Sequence, residues 1–502
     1  MRVGRLLTGS AERFPDRAAL IYEERSLSFA ELDERSNRLA HALHGDGIAA
    51  GDTVALFTKN RPEWVEVFFA AAKLGAILVP LNFRLAGREL AYIVEQVEPK
   101  LLVYEDELAD AIQSIEGLPT ISVDGDYAAW KEKGSACLPP APLLTDVDDN
   151  ALHSICYTSG TTGAPKGAVL THDNVVIGTH YYSLSNIGYT RRDVFLNPTP
   201  LCHRAGWARL IQSIGVGATQ VLLRQFDPER VFDLIEKHRV SMSGFIPTMV
   251  RMMAEHRSAK DVSSLRQLLT TGEACPPAIK ETIFELFPGV ELTTSFASTE
   301  AGIMALSSST DPRAPADATG RPLPEVEMRF GDNDEISIRT GAPGRGGVML
   351  EYWKNPEANH EVFSDGWFRT GDCGRLDENG YLFLSDRKKD MILSGGLNIY
   401  SKEVESCLLE HPAVREVAVV GRPDAKWGES VVAFVVCRKG EHTTAEELVA
   451  HTKERLASYK KPKEVRFVDD LPHTATGKVL KYELREKLHN QGVANDIGFD
   501  RR

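Results

Sequence analysis

Hydrophobic positions in the first part of the chain follow two alternating periods. A helical spacing of apolar residues predicts helices over Phe29 to Leu43 and Pro62 to Lys73, and a β-branched run predicts a strand over Asp52 to Phe57 between them. The alternation continues through most of the chain without an internal repeat or a low-complexity tract. This pattern is typical of mixed α/β sheets.

The pattern changes at the charged run DRKKD, which separates the strand-like YLFLS from MILSGG. Beyond it the predicted strands are Val414 to Val420, Ser430 to Cys437 and Glu464 to Val468, and the predicted helices are Ala445 to Leu456 and Leu480 to Leu488. The last helix places Leu480, Leu484 and Leu488 on one face, so we expect it to dock. We therefore predict a large α/β domain at 1–387 and a smaller α+β domain at 388–502.

The composition is that of an ordinary globular protein, with 502 residues, 42% of them hydrophobic and 26% charged. This length favours more than one core and leaves room for a cleft between domains. The most apolar stretch, Val67 to Leu81, is interrupted by Lys73, Gly75 and Pro80, so we expect no membrane span. The first residues lack the apolar core of a signal peptide.

The net charge is −13, which disfavours binding to nucleic acid and requires local groups to meet any ligand phosphate. The seven cysteines show no CxxC spacing. They fit free thiols in a reducing compartment better than a disulfide framework or a zinc site. We therefore predict a cytoplasmic protein, and the sequence leaves its oligomeric state open.

The segment YTSGTTGAPKG, residues 157–167, is the strongest candidate for chemistry. Small and hydroxyl-bearing residues are concentrated in it, namely Thr158, Ser159, Gly160, Thr161, Thr162 and Gly163, and Lys166 follows. Glycines let several backbone N–H groups face one anion, and the hydroxyls can add donors around phosphate oxygens. A flexible surface loop is the alternative. The spacing differs from that of a GxxxxGK[ST] P-loop.

With its neighbours, this segment resembles the signature of the adenylate-forming superfamily, which includes acyl-CoA synthetases, adenylation domains and firefly-type luciferases. Four further stretches resemble later motifs of that family in the correct order: SFASTE at 295–300, FRTGD at 368–372, RKKDMILSGG at 387–396 and LPHTATGK at 471–478. The resemblance covers essentially the whole chain. It implies a large N-terminal domain of two α/β subdomains and a small β-barrel, followed by a mobile C-terminal lid.

The resemblance also implies which residues bind ATP and Mg²⁺. Glu300 would bind Mg²⁺, a hard cation that prefers oxygen ligands, although a solvated glutamate is the alternative. Phe296 replaces the family's tyrosine and would stack on adenine or else belong to the core. Asp372 would bind the ribose hydroxyls, and Arg387 the ribose or phosphate. The remaining predicted nucleotide contacts are Ala297, Ser298 and Thr299 beside Glu300, and Gly272, Glu273 and Ala274 along the adenine pocket.

The C-terminal motifs imply roles in two successive steps. Lys478 would stabilise the charge that develops when a carboxylate attacks the α-phosphate, the alternative being an exposed lysine. Lys389 falls on the family's hinge position, where a small backbone change would turn the C-terminal domain. Gly395 and Gly396 would form a wall of the CoA tunnel, or else a simple tight turn.

The acid is predicted from the segment PLCHRAGW and its neighbours. It lacks the aspartate that would hold the ammonium of an amino acid, so an amino acid is disfavoured. His203 matches the gate of the acyl pocket, or else is a structural histidine. With Trp207, Phe245 and Met304 it defines a mostly apolar pocket.

Two arginines of the same region leave a second possibility. Arg204 and Arg209 are expected to face outward, but an inward arginine would suit a dicarboxylate such as malonate. The prediction is thus an ATP-dependent, AMP-forming ligase of CoA and an aliphatic or aromatic carboxylic acid, whose chain length the sequence leaves open. Loading of a carrier protein, a non-enzymatic nucleotide-binding regulator and a luciferase-like oxidation are the other classes considered.

Overall fold

The computed structural model describes residues 2–136, 150–158, 165–256, 258–272, 275–388, 390–394, 397–424, 427–473 and 479–496, the last eight by their backbone only. The chain forms two compact units. The first contains Met1–Met328 and Ile338–Phe368, and the second contains Arg329–Ser337 and Arg369–Arg502. The domain boundary predicted after residue 387 stays a prediction.

The first unit contains a nine-stranded sheet. In spatial order its strands are Arg321–Pro322, Gly302–Ser308, Glu291–Ser298, Gln267–Thr270, Met242–Phe245, Val194–Asn197, Thr219–Leu222, Ala18–Tyr22 and Arg25–Ser28. The central strands pair in parallel, and the pairs Glu291–Ser298 with Gly302–Ser308 and Ala18–Tyr22 with Arg25–Ser28 are antiparallel. Parallel strands need crossovers, which the intervening helices supply.

A seven-stranded sheet forms the other half of this unit. Its order is Glu351–Tyr352, Lys166–Thr171, Leu152–Thr158, Ile77–Pro80, Thr53–Phe57, Leu101–Tyr104 and Thr120–Ser122. Val79, Leu102 and Ile155 are fully buried in one apolar cluster of this sheet. Strands buried in this way carry continuous apolar runs, which is why the sequence pattern detected the strand Thr53–Phe57.

Helices of the first unit are Val3–Arg13, Phe29–Gly45, Pro62–Leu74, Gly87–Val97, Ala109–Ile112, Tyr127–Glu132, His172–Val175, Tyr182–Ile187, Arg204–Val216, Pro228–His238, Pro247–Glu255, Pro277–Leu286 and Pro356–Val362. A 3₁₀ turn, Asp106–Leu108, and a π-helix, Val176–Tyr181, join them. Local chemistry sets their starts: Ser28 and Glu31 form a reciprocal capping box. Pro62 occupies the first turn of its helix, where no backbone donor is needed.

A small five-stranded sheet follows along the chain, where the small barrel was expected. It contains Glu327–Phe330, Glu335–Arg339, Trp367–Leu376 and Phe363–Ser364 in that order, with Leu382–Arg387 paired to Trp367–Leu376. A 3₁₀ turn, Asp332–Asp334, connects the first two strands.

The second unit contains a five-stranded sheet of its own. Its order is Leu397–Ile399, Ile392–Ser394, Gly428–Cys437 and Val414–Asp424, with Glu464–Phe467 parallel to Gly428–Cys437. The helices are Ser401–Leu409, Ala445–Arg455 and Lys481–Asp496, with a 3₁₀ turn at Ser458–Lys460.

The two faces of this sheet form separate apolar clusters. Val417 and Val419 pack with Leu448 on one face, while Val420 and Leu484 belong to the cluster on the other. The last helix docks as predicted through Leu484 and Leu488, which are buried. Leu480 precedes its first residue and is half-buried. The fold class and the large and small parts are therefore confirmed.

Among the described residues, no helix combines the length and the apolarity needed to cross a membrane.

Candidate active site

Two motif residues from different sheets meet in the first unit. Thr158 ends the strand Leu152–Thr158, and Glu300 lies in the turn between the antiparallel strands Glu291–Ser298 and Gly302–Ser308. The Thr158 hydroxyl donates to Glu300 Oε1 at 3.4 Å, and also to the Lys166 carbonyl at 3.4 Å. The first and second motifs, 142 residues apart, therefore face each other.

Tyr352 joins this pair although no motif predicted it. Its hydroxyl donates to Glu300 Oε1 at 3.1 Å, and the Lys166 Nζ lies 5.4 Å from the centre of its ring. Its strand, Glu351–Tyr352, is antiparallel to Lys166–Thr171, with Tyr352 opposite Ala168. The backbone is fixed close by, because Met349 N donates to the Glu300 carbonyl at 2.6 Å. An aromatic residue in the run VMLEYW gives no sequence signal for this contact.

The oxygen atoms around Glu300 suit a hard divalent cation. The carboxylate is half-exposed, and a hydroxyl stands beside it. In the part of the chain that is described, no group of three His, Cys, Asp or Glu side chains forms a metal cluster. One carboxylate with a neutral hydroxyl fits Mg²⁺ that takes its other oxygens from a phosphate-bearing ligand and water.

The turn that carries Glu300 is held by its neighbours. Ser298 Oγ accepts from Ala301 N at 3.1 Å, and the Thr299 carbonyl accepts from Arg204 Nη1 at 2.7 Å. Ala297 is half-exposed beside them. Phe296, predicted to stack on adenine, is only 6% exposed, so any stacking would use a small part of its ring.

Several predicted nucleotide contacts lie outside the described residues. Of the phosphate loop, these are Ser159, Gly160, Thr161, Thr162 and Gly163, and of the adenine segment, Glu273 and Ala274. Gly272 is described and has a φ of +91°. Their predicted roles stay predictions.

Three of the four predicted acyl-pocket residues are buried apolar or aromatic side chains. Trp207 is fully buried against Phe68, with ring centres 5.9 Å apart, and Phe245 stacks on Phe287 at 5.9 Å. Met304 is also fully buried. His203 is half-buried as the residue before the helix Arg204–Val216, and its carbonyl accepts from Gly206 N and Trp207 N. That these four residues line one acyl pocket stays a prediction.

The expectation that Arg204 and Arg209 face outward is wrong, since each is 5% exposed. Arg204 donates to the carbonyls of Thr299 and Gly347 and to the Thr179 hydroxyl. Burial lowers the pKa of Arg204 to about 10, while Cys156 and Glu300 act in the opposite sense. Arg209 Nη1 donates to Gln212 Oε1 at 3.3 Å.

Gly302 explains how the Arg204 guanidinium reaches this position. Its φ is +66°, and a Cβ there would lie 3.0 Å from Arg204 Nη2. A side chain at this position would be strained and would press on the guanidinium. Arg204 thus ties its helix to the turn that carries Glu300.

In the second unit, the predicted ribose ligands form a pair. Asp372 and Arg387 are opposite each other on antiparallel strands, and Arg387 Nε lies 3.4 Å from Asp372 Oδ1. This pair offers a carboxylate acceptor and a guanidinium donor on one sheet surface. Lys389, Gly395, Gly396 and Lys478 lie outside the described residues.

The ends of the segment that contains Lys478 are nevertheless defined. His473 and Val479 form an antiparallel bridge, and Leu480 N donates to the Pro472 carbonyl at 2.7 Å. His473 Nε2 also lies 2.5 Å from Glu416 Oε1. Residues 474–478 therefore connect two chain ends that are fixed side by side.

A polar network fixes the helix that follows. Lys481 Nζ lies 2.7 Å from Glu405 Oε1 and 2.6 Å from Ser401 Oγ. Ser401 donates its hydroxyl to Asp386 Oδ2 at 2.7 Å, directly before Arg387. Burial raises the pKa of the Glu405 carboxyl, and Lys481 opposes this rise. Sequence reasoning missed this network because its members come from separate elements.

The family follows from comparison with known proteins. The model of the AMP-binding enzyme family matches residues 7–351, and that of the AMP-binding enzyme C-terminal domain matches residues 403–478. The chain belongs to this family of AMP-binding enzymes. It is an AMP-forming acid–CoA ligase, most like the acyl-CoA synthetases, whose reaction uses ATP, Mg²⁺ and CoA.

Three proteins illustrate the similarity. The chain is 38% identical to the indoleacetate–CoA ligase of Aromatoleum aromaticum, covering 94% of this chain and 95% of the relative. It is 34% identical to the fatty acid–[acyl-carrier-protein] ligase ScoC of Streptomyces coeruleorubidus, covering 95% of each. The structure of o-succinylbenzoate CoA synthetase from Bacillus subtilis in complex with its acyl-adenylate intermediate is 33% identical, with a TM-score of 0.86, covering 96% of this chain and 98% of that one.

Proposed function

We propose that this ligase activates a monocarboxylic acid with an aliphatic or aromatic body and transfers the acyl group to CoA. The observation that carries the proposal is the placement of Glu300 within hydrogen-bond distance of Thr158 and Tyr352, next to Lys166. A carboxylate, hydroxyls and a lysine in one place suit a Mg²⁺-bound triphosphate.

In the first step, an oxygen of the substrate carboxylate attacks the α-phosphorus of ATP, the bond to the bridging oxygen breaks, and pyrophosphate leaves. Glu300 would hold Mg²⁺, with Thr158 beside it, and the ion when bound neutralises phosphate charge. Lys166 adds a cation at the phosphates. Lys478 stabilises the negative charge that builds up on the α-phosphate.

In the second step, the thiolate of CoA attacks the acyl carbonyl of the adenylate, and AMP leaves. Asp372 would orient the ribose through its hydroxyls, and Arg387 would donate to ribose or phosphate oxygens. Gly395 and Gly396 would leave space for the pantetheine arm.

The apolar character of the acid is supported by the burial of Trp207, Phe245 and Met304. The relative named as an indoleacetate ligase takes an acid of this kind. A dicarboxylate is disfavoured because both buried arginines already donate to protein oxygens, Arg204 to the carbonyls of Thr299 and Gly347 and Arg209 to the Gln212 side chain.

A carrier protein is the second candidate acceptor, supported by similarity to a relative named as an acyl-carrier-protein ligase. Both acceptors present the same pantetheine thiol, so the chemistry of thioester formation is the same for CoA and for a carrier protein. The two acceptors differ in the remainder of the molecule, which the enzyme surface has to recognise.

The test is a panel of alkanoates, arylacetates, dicarboxylates and amino acids with ATP and Mg²⁺, and with either CoA or a phosphopantetheinylated carrier protein. AMP and thioester are measured by mass. We expect both products with alkanoates or arylacetates and CoA, and neither with Lys478→Ala, whereas Lys487→Ala on the exposed face of the last helix remains active. AMP formation only with amino acids or dicarboxylates, or thioester only on the carrier, would overturn the proposal.

A further inference from the structure

The segment 344–352 contacts Glu300 at two points, although only its last two residues belong to a strand. Met349 N donates to the Glu300 carbonyl at 2.6 Å, and the Tyr352 hydroxyl donates to Glu300 Oε1 at 3.1 Å. The backbone and the side chain of Glu300 are thus both held from this segment. Because most of the segment lacks a regular ladder of hydrogen bonds, side chains from other elements have to fix its backbone.

Asn174 holds the middle of the segment. It is fully buried, and its Nδ2 donates to the carbonyls of Gly346 at 2.9 Å and Val348 at 2.8 Å. Its Oδ1 accepts from Thr171 N at 3.0 Å. Two carbonyl acceptors on one side require an NH₂ group there, so an aspartate cannot reproduce the contact. Val348 directly precedes Met349, so Asn174 fixes the backbone next to the contact with Glu300.

Asn359 holds the far end of the segment. Its Oδ1 accepts from Tyr352 N at 2.6 Å, and its Nδ2 donates to the Tyr352 carbonyl at 3.0 Å. Tyr352 belongs to the edge strand of its sheet, and the amide of Asn359 pairs with both of its backbone groups as a second neighbouring strand would. The direction of the Tyr352 side chain is therefore set by a residue of the helix Pro356–Val362.

Gly347 shows how closely the segment packs on the turn that carries Glu300. A Cβ at this position would lie 2.6 Å from the Ala301 carbonyl. Arg204 Nη1, which donates to the Thr299 carbonyl at 2.7 Å, also donates to the Gly347 carbonyl at 3.4 Å. Close-packed interiors transmit displacements from one element to the next. A shift of the segment would therefore move the turn as well.

We propose that Asn174 and Asn359 are positioning residues of the proposed Mg²⁺ site. They fix the segment 344–352 at two points, and the segment sets the position of Glu300 and the direction of its carboxylate. The inference rests on the proposed role of Glu300 in binding Mg²⁺. Groups that orient a metal ligand without touching the metal typically account for about 10- to 100-fold of the affinity.

The first test is hydrogen exchange of the full chain without nucleotide or metal, measured by mass spectrometry on peptides that cover residues 344–353. Asn174→Asp and Asn359→Asp keep the size of the side chain but place a carboxylate oxygen against backbone carbonyls. Because each change removes donors to buried or half-buried carbonyls, we expect exchange in these peptides to accelerate about tenfold. This measurement is independent of the reaction.

The second test is isothermal titration with α,β-methylene-ATP, which cannot release pyrophosphate, in the presence and absence of Mg²⁺. The ratio of the two dissociation constants measures what the ion contributes to binding. We expect the affinity with Mg²⁺ to fall about tenfold in each variant, while the affinity without Mg²⁺ stays near wild type. In a Tyr352→Phe background, Asn359→Asp should add little, since the hydroxyl that it positions is gone.

Asn60→Asp is the matched control for Asn174→Asp. Asn60 is 2% exposed, and its Nδ2 likewise donates to two carbonyls, those of Thr199 and Leu223. The control should lower the melting temperature about as much as Asn174→Asp does. It should leave both the exchange of residues 344–353 and the contribution of Mg²⁺ at the wild-type level, which a merely structural role of Asn174 would also do.

The outcomes separate this proposal from the proposed function. If Glu300→Gln loses the contribution of Mg²⁺ but Asn174→Asp and Asn359→Asp keep it, the positioning roles are wrong and the proposed function stands. A full contribution of Mg²⁺ in Glu300→Gln would contradict the metal site and the positioning roles together. An equal loss in Asn60→Asp would also overturn the proposal. Should Asn174→Asp fail to fold, the half-buried Asn359 decides through Asn359→Asp.

Discussion

Glu300 is a carboxylate with two hydroxyl donors and no lysine or arginine salt bridge among the described residues. The two hydroxyls orient the carboxylate, and without a paired lysine or arginine its oxygens remain available to a cation. This distinguishes it from the surface glutamates, many of which are paired with arginine or lysine.

We predict that Glu300→Gln raises the Mg²⁺ concentration needed for half-maximal pyrophosphate release by about tenfold or more, because the amide lacks the charge of the ligand it replaces. The melting temperature should stay near wild type, since Glu300 is half-exposed. Glu351→Gln, at the exposed position before Tyr352, is the matched control. Unchanged activity of Glu300→Gln at limiting Mg²⁺ would refute the assignment.

Tyr352→Phe tests the residue that sequence reasoning missed. The change removes only the hydroxyl that donates to Glu300, so Mg²⁺ affinity should fall by about tenfold while the ring remains under Lys166. Pyrophosphate release is measured against Mg²⁺ at fixed ATP. A variant that loses maximal rate but keeps the Mg²⁺ dependence would show that the hydroxyl acts elsewhere.

The contrast between these residues shows what the sequence reveals at this scale. Thr158 and Glu300 were predictable because each belongs to a motif with a recognisable pattern. Tyr352 was not, because only strand pairing brings it to Glu300. The orientation of Arg204 was predicted wrongly from the usual exposure of arginine. Its helix is buried on nearly all sides, so an outward direction does not exist for most of its residues.

At the scale of elements, periodicity predicted the helices and strands well where one face is buried. The strand Val414–Asp424 extends beyond its predicted end at Val420, because Gly421 to Asp424 continue the pairing with Gly428–Cys437 although they are less apolar. Backbone hydrogen bonding to the neighbouring strand determines where a strand ends, and this bonding leaves no periodic pattern of apolar residues in the sequence. The network of Asp386, Ser401, Lys481 and Glu405 escaped prediction for the same reason.

We predict that Lys481→Met lowers the free energy of unfolding by about 3 kcal/mol, because it leaves the mostly buried Glu405 carboxylate without its cation. The pKa of Glu405 is raised in the folded protein. Ionisation of this carboxyl therefore lowers the free energy of unfolding once the pH exceeds the pKa that Glu405 has in the unfolded chain. Without Lys481 this cost grows. The destabilisation should therefore be larger near neutral pH than near the ordinary carboxyl pKa.

Urea unfolding at both pH values measures this effect, with Lys487→Met on the exposed face of the same helix as the control. The double variant Lys481→Met/Glu405→Gln should recover part of the loss, since no buried charge is then left unpaired. A pH-independent loss would mean that Lys481 acts through its hydrogen bond to Ser401 and not through the charge of Glu405.

At the scale of the whole molecule, the motifs divide between the two units. Thr158 and Glu300 belong to the first, and Asp372, Arg387 and Lys478 to the second. Motif order was sufficient to predict the family and the fold, because five patterns in sequence rarely occur by chance. The two compact units do not follow chain order strictly, since Arg329–Ser337 is grouped with Arg369–Arg502 in the second unit. Changes of composition along the chain do not reveal that a segment packs with residues that are not its sequence neighbours.

The last prediction concerns Lys389, the residue that the family resemblance places at the hinge. In the proposed mechanism, one small C-terminal domain would present Lys478 for adenylation and the Gly395–Gly396 segment for thioester formation. Proline at position 389 fixes its φ, removes its backbone donor and restricts Lys388 before it, so turning between two arrangements becomes costly. In Lys389→Pro we expect adenylate formation, measured by pyrophosphate release, to survive better than thioester formation from preformed adenylate. Lys388 N donates to the Gly371 carbonyl and should stay in place, so Lys388→Ala is the control. If Lys389→Pro slowed both half-reactions by the same factor, or neither, Lys389 would not be the pivot of a two-step cycle.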